Sequence, residues 1–295
     1  MFDFLVTQSL RQTDFDERTE FLIPGFLPKR MITLIFADGG MGKSWLAFAV
    51  AKRCLDFGEV IYLDFDNPLN VLKERGVSET LIPLPGVYYV QRGKSRMSAQ
   101  EMLSAMDEKA SGNAYANKLV IVDSLRNFGD VMNDAKAMQL MNQLMNLREA
   151  GATVLILAHA NKDGRNYQGS NNIRNSVDNM YRLTRADAPK DEISFVLTPV
   201  KERTTILECA FSVACRDLSL NHINLETAKL NADELDFVTR AKASIEAQPG
   251  INKKELLQQL GFEQDDKTAR NRLDEFEGVH WASTKKSGVY TYQLA

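Results

Sequence analysis

The residues best suited to chemistry form one short run, Ala37-Asp38-Gly39-Gly40-Met41-Gly42-Lys43-Ser44. Glycines at 39, 40 and 42 let backbone N–H groups turn inward toward an anion, and a helix starting there adds positive partial charge. Lys43 is placed to neutralise β- and γ-phosphates, and the Ser44 hydroxyl to ligate Mg²⁺. The expected contacts to ATP therefore run through Asp38, Gly39, Gly40, Met41, Gly42, Lys43, Ser44 and Trp45. Such a loop usually opens on Gly; Ala37 fits that position provided its φ stays negative.

Further polar residues stand at the ends of apolar runs. Asp123 closes Lys118-Leu119-Val120-Ile121-Val122 and is the expected partner of Ser44 at Mg²⁺. The next residue is Ser124, so a carboxylate that activates water must come from elsewhere. Asp66 is the candidate, delivered by a second strand lying beside the loop; Asp64, on the same strand face, is its rival. His159 ends another run and is placed to sense the γ-phosphate, or else serves as a hydrogen-bonded structural histidine. Lys201 and Arg203 are two apart in an extended stretch, so they point the same way. Together they suit a basic finger reaching a neighbouring subunit's phosphate, or a plain basic strand end. Residues 161–169 read as a mobile loop facing nucleic acid; Arg165 within it and Arg174 beyond it are candidate contacts.

These residues need a frame. Met31–Phe36 reads as a strand buried on both faces, and residues 45–52 as the helix after the loop. Strands are expected again at 58–66, 87–90, 118–124 and 153–159, with helices at 70–75, 98–110 and 135–150. Gly151 is the expected C-cap of the last helix. This alternation predicts an α/β fold with a doubly wound, mostly parallel sheet and ligands at the strand C-termini. Residues 193–198 and 211–215 read as later strands, suited to an antiparallel edge. Residues 1–30 are mixed and charged, and suit a segment lying across the nucleotide base or packing on a neighbour.

The pattern changes near Lys229. Helices at 232–247, 253–260 and 267–276 precede a hairpin over 281–292 whose tip is Lys285-Lys286-Ser287-Gly288. That order predicts a winged helix-turn-helix over 230–295, after a nucleotide-binding domain over 1–229. Lys267, Arg270 and Arg272 on its third helix, with Lys285 and Lys286 at the wing tip, suit duplex DNA. Acids such as Asp265, Asp266, Asp274, Glu275 and Glu277 offset them, so a protein contact fits as well.

Bulk properties set the outer limits. The chain has 295 residues, 44% hydrophobic and 25% charged, an ordinary globular composition with room for about two domains. No apolar run approaches the roughly 18 residues that cross a bilayer, and Met1–Val6 lacks the basic start of a secretory leader, so a cytoplasmic protein without membrane contact is expected. Cys54, Cys209 and Cys215 are too scattered for a disulfide framework or a metal knuckle. A net charge of −3 means that nucleic-acid binding must come from local basic patches or a ring lumen.

Taken together, the chain resembles the RecA-like ATPases, and within them the RepA-type replicative helicases of plasmids, phages and mobile elements. The resemblance rests on 21–27, Gly39–Ser44, Val60–Leu63 leading to Asp66, the Asp123 strand, Leu157-Ala158-His159 and 169–178, and covers roughly residues 18–205. It implies a RecA-like core with Asp66 at the catalytic glutamate position, His159 at the sensor, and Lys201 and Arg203 as the finger pair. It also implies a homo-oligomeric ring, often a hexamer, with ATP between subunits and single-stranded DNA in the lumen. The winged domain lies outside the shared core. An ATP-driven helicase is the first reading. A nucleotide-gated DNA-binding adaptor with weak hydrolysis, and a signalling ATPase or kinase indifferent to DNA, are the others.

Overall fold

The computed structural model describes residues 3–6, 8–12, 19–286 and 288–295, without the side chains of residues 3, 4 and 286. The chain forms two compact units, Met1–His222 and Ile223–Ala295. The first opens with α1 (Asp3–Val6), β1 (Phe21–Ile23), β2 (Leu27–Pro28), β3 (Ile32–Ala37), α2 (Lys43–Cys54) and β4 (Glu59–Asp64). It continues with α3 (Leu69–Glu74), α4 (Val77–Thr80), β5 (Val87–Gln91), α5 (Ala99–Asp107), β6 (Lys118–Asp123) and α6 (Asp134–Glu149). Last come β7 (Thr153–His159), α7 (Asn171–Ser176), β8 (Asn179–Ala186), β9 (Glu192–Lys201), β10 (Cys209–Ala214) and β11 (Leu220–Ile223), which reaches the boundary. Among the described residues no helix is long and apolar enough to cross a membrane.

A sheet of 9 strands, in the order β11-β10-β9-β8-β3-β7-β6-β4-β5, forms the middle layer. Strands β8, β3, β7, β6, β4 and β5 run parallel, while β9 pairs antiparallel with β8 and β10 with β9. The α/β fold and the mostly parallel sheet are as the alternation of apolar runs and helices predicts. Successive residues of a strand face opposite layers. Thus Ile121, Leu155 and Leu157 join α2 in one core, whereas Val120, Val122, Val154 and Ile156 join α5 and α6 in the other. Buried on both faces, the central strands could form only between two helical layers.

One placement differs from the sequence reading. Strand β4 does not lie beside β3; β7 and β6 stand between them, because the chain crosses over two positions before β4 pairs with β6. Residues 21–28 lie in the segment ahead of β3. They form a two-stranded hairpin that buries Leu22, Ile23, Phe26 and Leu27 in the unit's own core. Phe26 packs its ring against Tyr181 and Phe211, and the Tyr181 hydroxyl donates to the carbonyl of Gly25 at 3.1 Å.

The second unit contains α8 (Leu225–Ala228), α9 (Ala232–Ala247), β12 (Ile251–Asn252), α10 (Lys253–Gln259), α11 (Lys267–Glu275), β13 (Trp281–Lys286) and β14 (Val289–Leu294). Asn231 and Glu234 cap α9 reciprocally, and Asn252 and Asp266 cap α10 and α11. The strands form an antiparallel sheet in the order β12-β14-β13. Between helices and sheet lie Phe237, Ile245, Leu256, Leu273 and Trp281, and the buried Trp281 Nε1 donates to the Leu273 carbonyl at 2.9 Å. The short β12 is absent from the sequence reading, since two residues after Pro249-Gly250 carry no periodicity of their own.

Candidate nucleotide site

Strand β3 delivers the glycine loop to the C-terminal edge of the sheet. Ala37 stays in the strand, outside the left-handed region, so the departure at that position is accommodated. Gly40 and Gly42 take φ of 77° and 95°, which L side chains rarely adopt. A Cβ on Gly42 would also lie 2.7 Å from the Phe195 ring. Gly42→Ala is therefore expected to destabilise the first unit by about 2–4 kcal/mol, from the left-handed φ and the overpacking together. Thermal unfolding checks it. Helix α2 has no side-chain cap, so its first amides are left for an anion. Lys43 Nζ donates to the carbonyls of Ala37 and Asp38, at 2.8 and 2.9 Å, and so lies across the loop. Burial pushes this ammonium below its ordinary value, against the pull of Asp123, Asp66 and Asp38.

Two carboxylates lie side by side beneath the loop because β4 and β6 pair Asp64 with Asp123 in register. Both are buried, at 0% and 2% exposure. Asn67 spans them, donating from Nδ2 to Asp64 at 3.1 Å and to Asp123 Oδ2 at 3.3 Å, with Ser44 Oγ at 3.5 Å. Tyr62 donates to Asp123 at 2.9 Å, and Tyr89 to Asp64 at 2.5 Å. Burial, and then the charge of Asp64, push the Asp123 carboxyl well above the usual range, although hydrogen bonds from Ser44 and Tyr62 oppose them. Ser44 and Asp123 thus adjoin, with acceptor oxygens that a divalent cation would satisfy. These residues fit Mg²⁺.

This arrangement is costly without a cation. A carboxyl whose folded value is raised loses stability as pH climbs from its unfolded value through its folded one. Asp123→Asn, with no nucleotide or Mg²⁺, is expected to be more stable than wild type by about 1 kcal/mol near neutral pH. The gap should narrow as pH falls and close only below ~4, where the carboxyl is protonated in the unfolded chain as well as the folded one. Denaturant unfolding over that range is the check.

Asp66, not Asp64, faces the cleft. Asp64 is sealed by Tyr89, Asn67 and the amide of Asp66, which leaves it no free edge for water. Asp66 lies beyond the end of β4 and accepts from Arg126 Nη2 at 3.1 Å and Asn127 Nδ2 at 3.2 Å. Burial acts against its ionised form, but the Asn127 and Arg126 hydrogen bonds outweigh it and hold the carboxyl below its ordinary value. His159 pairs with Ala37 across β3 and β7, and its Nε2 is 4.0 Å from Asp66 Oδ2. That nitrogen is buried without a hydrogen-bond partner. Burial, with Lys43 and Arg126 nearby, pushes the imidazole below its ordinary value and keeps it neutral. An orphaned polar atom here fits a phosphate-facing sensor better than a satisfied structural histidine.

Gly39, Gly40, Gly42, Lys43, Ser44 and Trp45 line one cleft of ≈ 610 Å³ with Asp66, Asn67, Asp123 and His159. Met41 does not line it, and its side chain packs on the core instead. Asp38 contributes its carbonyl to Lys43 and is otherwise exposed. Arg75 and Arg185 also line the cleft, and the Arg75 guanidinium lies 5.9 Å from the Trp45 ring centre. Asn67, Arg75, Arg126, Asn127 and Arg185 escape sequence reasoning, since each is defined by contacts from distant strands. The only available signal is that Asn67 directly follows Asp66.

The remaining candidates lie elsewhere. Lys201 pairs with Met180 at the start of β8, so it sits at the sheet edge opposite the loop. Its Nζ donates to the carbonyls of Arg174 and Val177 at the end of α7, and Arg203 bonds Asp178 at 3.0 Å. Neither reaches its own chain's cleft. Residues 161–169 form a turn closed by Asn161 N to Asn166 O at 2.8 Å, with Gly164 against Asp38 and Arg165 exposed. Arg174 donates to the Val200 carbonyl at 3.1 Å. In the second unit Lys267 and Arg270 are exposed on α11, whereas Arg272 is half-buried over the Phe237 ring, which removes it from an outward-facing set. Lys285 lies 4.9 Å from the Tyr290 ring centre; the Lys286 side chain and Ser287 fall outside the described residues.

No curated protein matches the chain. Residues 3–165, more than half of its length, match the AAA domain family AAA_25, which contains the glycine loop, both buried aspartates, Asp66 and His159. The chain belongs to this family of P-loop ATPases, whose domain implies nucleotide binding and hydrolysis, usually with Mg²⁺.

Proposed function

We propose that the protein is an ATP-driven motor on single-stranded DNA, a helicase of the RepA type serving replication of a plasmid, phage or mobile element. One observation carries the reading. Lys43, Ser44, Asp123, Asp66 and His159 converge on one cleft, while the basic pair Lys201 and Arg203 lies at the far sheet edge. A pair so placed serves a phosphate only across a subunit boundary, which favours a homo-oligomeric ring. Lys43 would shift from the Ala37 and Asp38 carbonyls to the β- and γ-phosphates of bound ATP. Asp66 would accept the proton of a water aligned with the γ-phosphorus, and neutral His159 Nε2 would mark the γ-phosphate's presence. Ser44 and Asp123 would hold Mg²⁺, which when bound screens phosphate charge and polarises the transferred group. We read the second unit as a winged helix whose exposed Lys267 and Arg270 meet duplex DNA or a protein.

The test is ATP turnover with and without single-stranded DNA, beside size measurement with and without ATP. Turnover raised by DNA in an assembled ring supports the proposal. A second reading has its own observation. Asp66 is already engaged by Arg126 and Asn127, which suits a slow hydrolase whose nucleotide state gates DNA or protein binding. Nucleotide-dependent binding with little turnover under either condition favours that adaptor.

A further inference from the structure

We propose that a basic pocket beside Asp66 grips the phosphodiester backbone of single-stranded nucleic acid, and that the bound strand draws Arg126 away from Asp66. The proposal deepens the motor reading and rests on it for the hydrolytic half. The chain leaves β5 as Arg92-Gly93-Lys94-Ser95-Arg96, a run of cations in a protein whose net charge is −3. Arg92, Arg96, Arg126, Ser95, Ser98 and Asn127 line a cleft of ≈ 890 Å³. Among the described residues no carboxylate pairs with the side chains of Arg92, Lys94 or Arg96, and all three are exposed. The carboxylate in the first turn of α5, Glu101, is taken by the Ser98 amide at 2.8 Å. The pocket is therefore cationic: of its three arginines only Arg126 has a carboxylate partner among the described residues, Asp66.

Its chemistry favours phosphates. Guanidinium forks match phosphate oxygens, and the serine hydroxyls add neutral donors. The one aromatic residue lining it, Phe65, is only 4% exposed, so there is no platform for stacked bases. Such a site holds the backbone and ignores sequence. Arg126 connects it to the reaction. The same guanidinium that lines the pocket donates to Asp66 at 3.1 Å, and its side chain is 51% exposed. A phosphate arriving beside Arg92 and Arg96 competes for those N–H groups. Asp66, relieved of one donor and its charge, then becomes the stronger acceptor for the proton of water, so strand occupancy speeds hydrolysis.

The experiment uses the full chain, wild type and Arg92→Ala/Arg96→Ala, with a labelled oligo-dT followed by anisotropy over a salt series and ATP turnover measured on the same samples. Both side chains are exposed, and thermal unfolding verifies the fold. The variant is expected to bind the oligonucleotide roughly tenfold or more weakly. Its salt slope should shrink by about 1.4, since each phosphate of a single strand that is no longer neutralised removes about 0.7. Its ratio of DNA-stimulated to DNA-free turnover should fall toward one. Unchanged affinity, slope and ratio in the variant overturn the proposal. So does a wild type that hydrolyses ATP yet binds a poly-glutamate peptide and no oligonucleotide, a result that leaves the ATPase reading standing. A wild type that binds DNA through these arginines but shows no hydrolysis upholds the pocket, and overturns both the coupling and the motor.

Discussion

Lys43→Ala is expected to cut ATP turnover by at least ~10²-fold, the scale seen when one charge-stabilising donor is lost from a dry active site. The reason is positional. Lys43 is buried at the first turn of α2, and its Nζ already lies across the loop on the Ala37 and Asp38 carbonyls. Moving from those carbonyls to a triphosphate requires only side-chain rotation. Alanine at 43 leaves the developing phosphoryl charge to amides alone, and nucleotide affinity should fall with turnover. Steady-state phosphate release, with equilibrium binding of a labelled nucleotide, checks both. Turnover near the wild-type rate would remove the loop from the chemistry.

Asp66→Asn should lower turnover by about 10²–10⁴-fold while nucleotide binding persists, because it removes a proton acceptor and leaves the phosphate cradle intact. Asparagine can still accept from Arg126 and Asn127, so the local geometry survives. Asp64→Asn differs in kind. Asp64 is buried and held by Tyr89 and Asn67, so its replacement should register in stability before chemistry. Single-turnover hydrolysis of pre-bound ATP separates the two variants. If Asp64→Asn lost the chemical step and Asp66→Asn kept it, the assignment of the water-activating acid would be reversed.

The loop was legible because its parts are contiguous. The buried strand Ile32–Ala37, the glycines and the helix from Lys43 follow one another, and each obeys a local rule. Asp123 and His159 were legible for a similar reason, as polar residues ending all-apolar strands in a parallel sheet. Strand β8 was not. Asn179, Arg182, Thr184 and Arg185 interrupt its apolar residues, since the strand borders both β3 and the antiparallel edge. The position of β4 also escaped, because strand order is a long-range choice that composition does not record. Asp66 was named on the expectation that β4 adjoins the loop; it reaches the cleft because its residue lies past the strand end, level with His159. Asn67 and Arg126 act through partners about 20 to 60 residues distant in sequence, and no spacing rule finds those. Arg272 shows the converse, a basic residue on the expected helix whose guanidinium lies over the Phe237 ring.

The most direct test of the central claim is a crystal structure of the full chain with Mg²⁺ and a non-hydrolysable ATP analogue. The expected result has the triphosphate wrapped by the amides of Gly39–Ser44 and Lys43 Nζ withdrawn from the Ala37 and Asp38 carbonyls onto it. The metal should rest on Ser44 and Asp123, and Asp66 should lie one water from the γ-phosphorus. A saturated crystal with the analogue bound elsewhere, and Lys43 still on those two carbonyls, would contradict it.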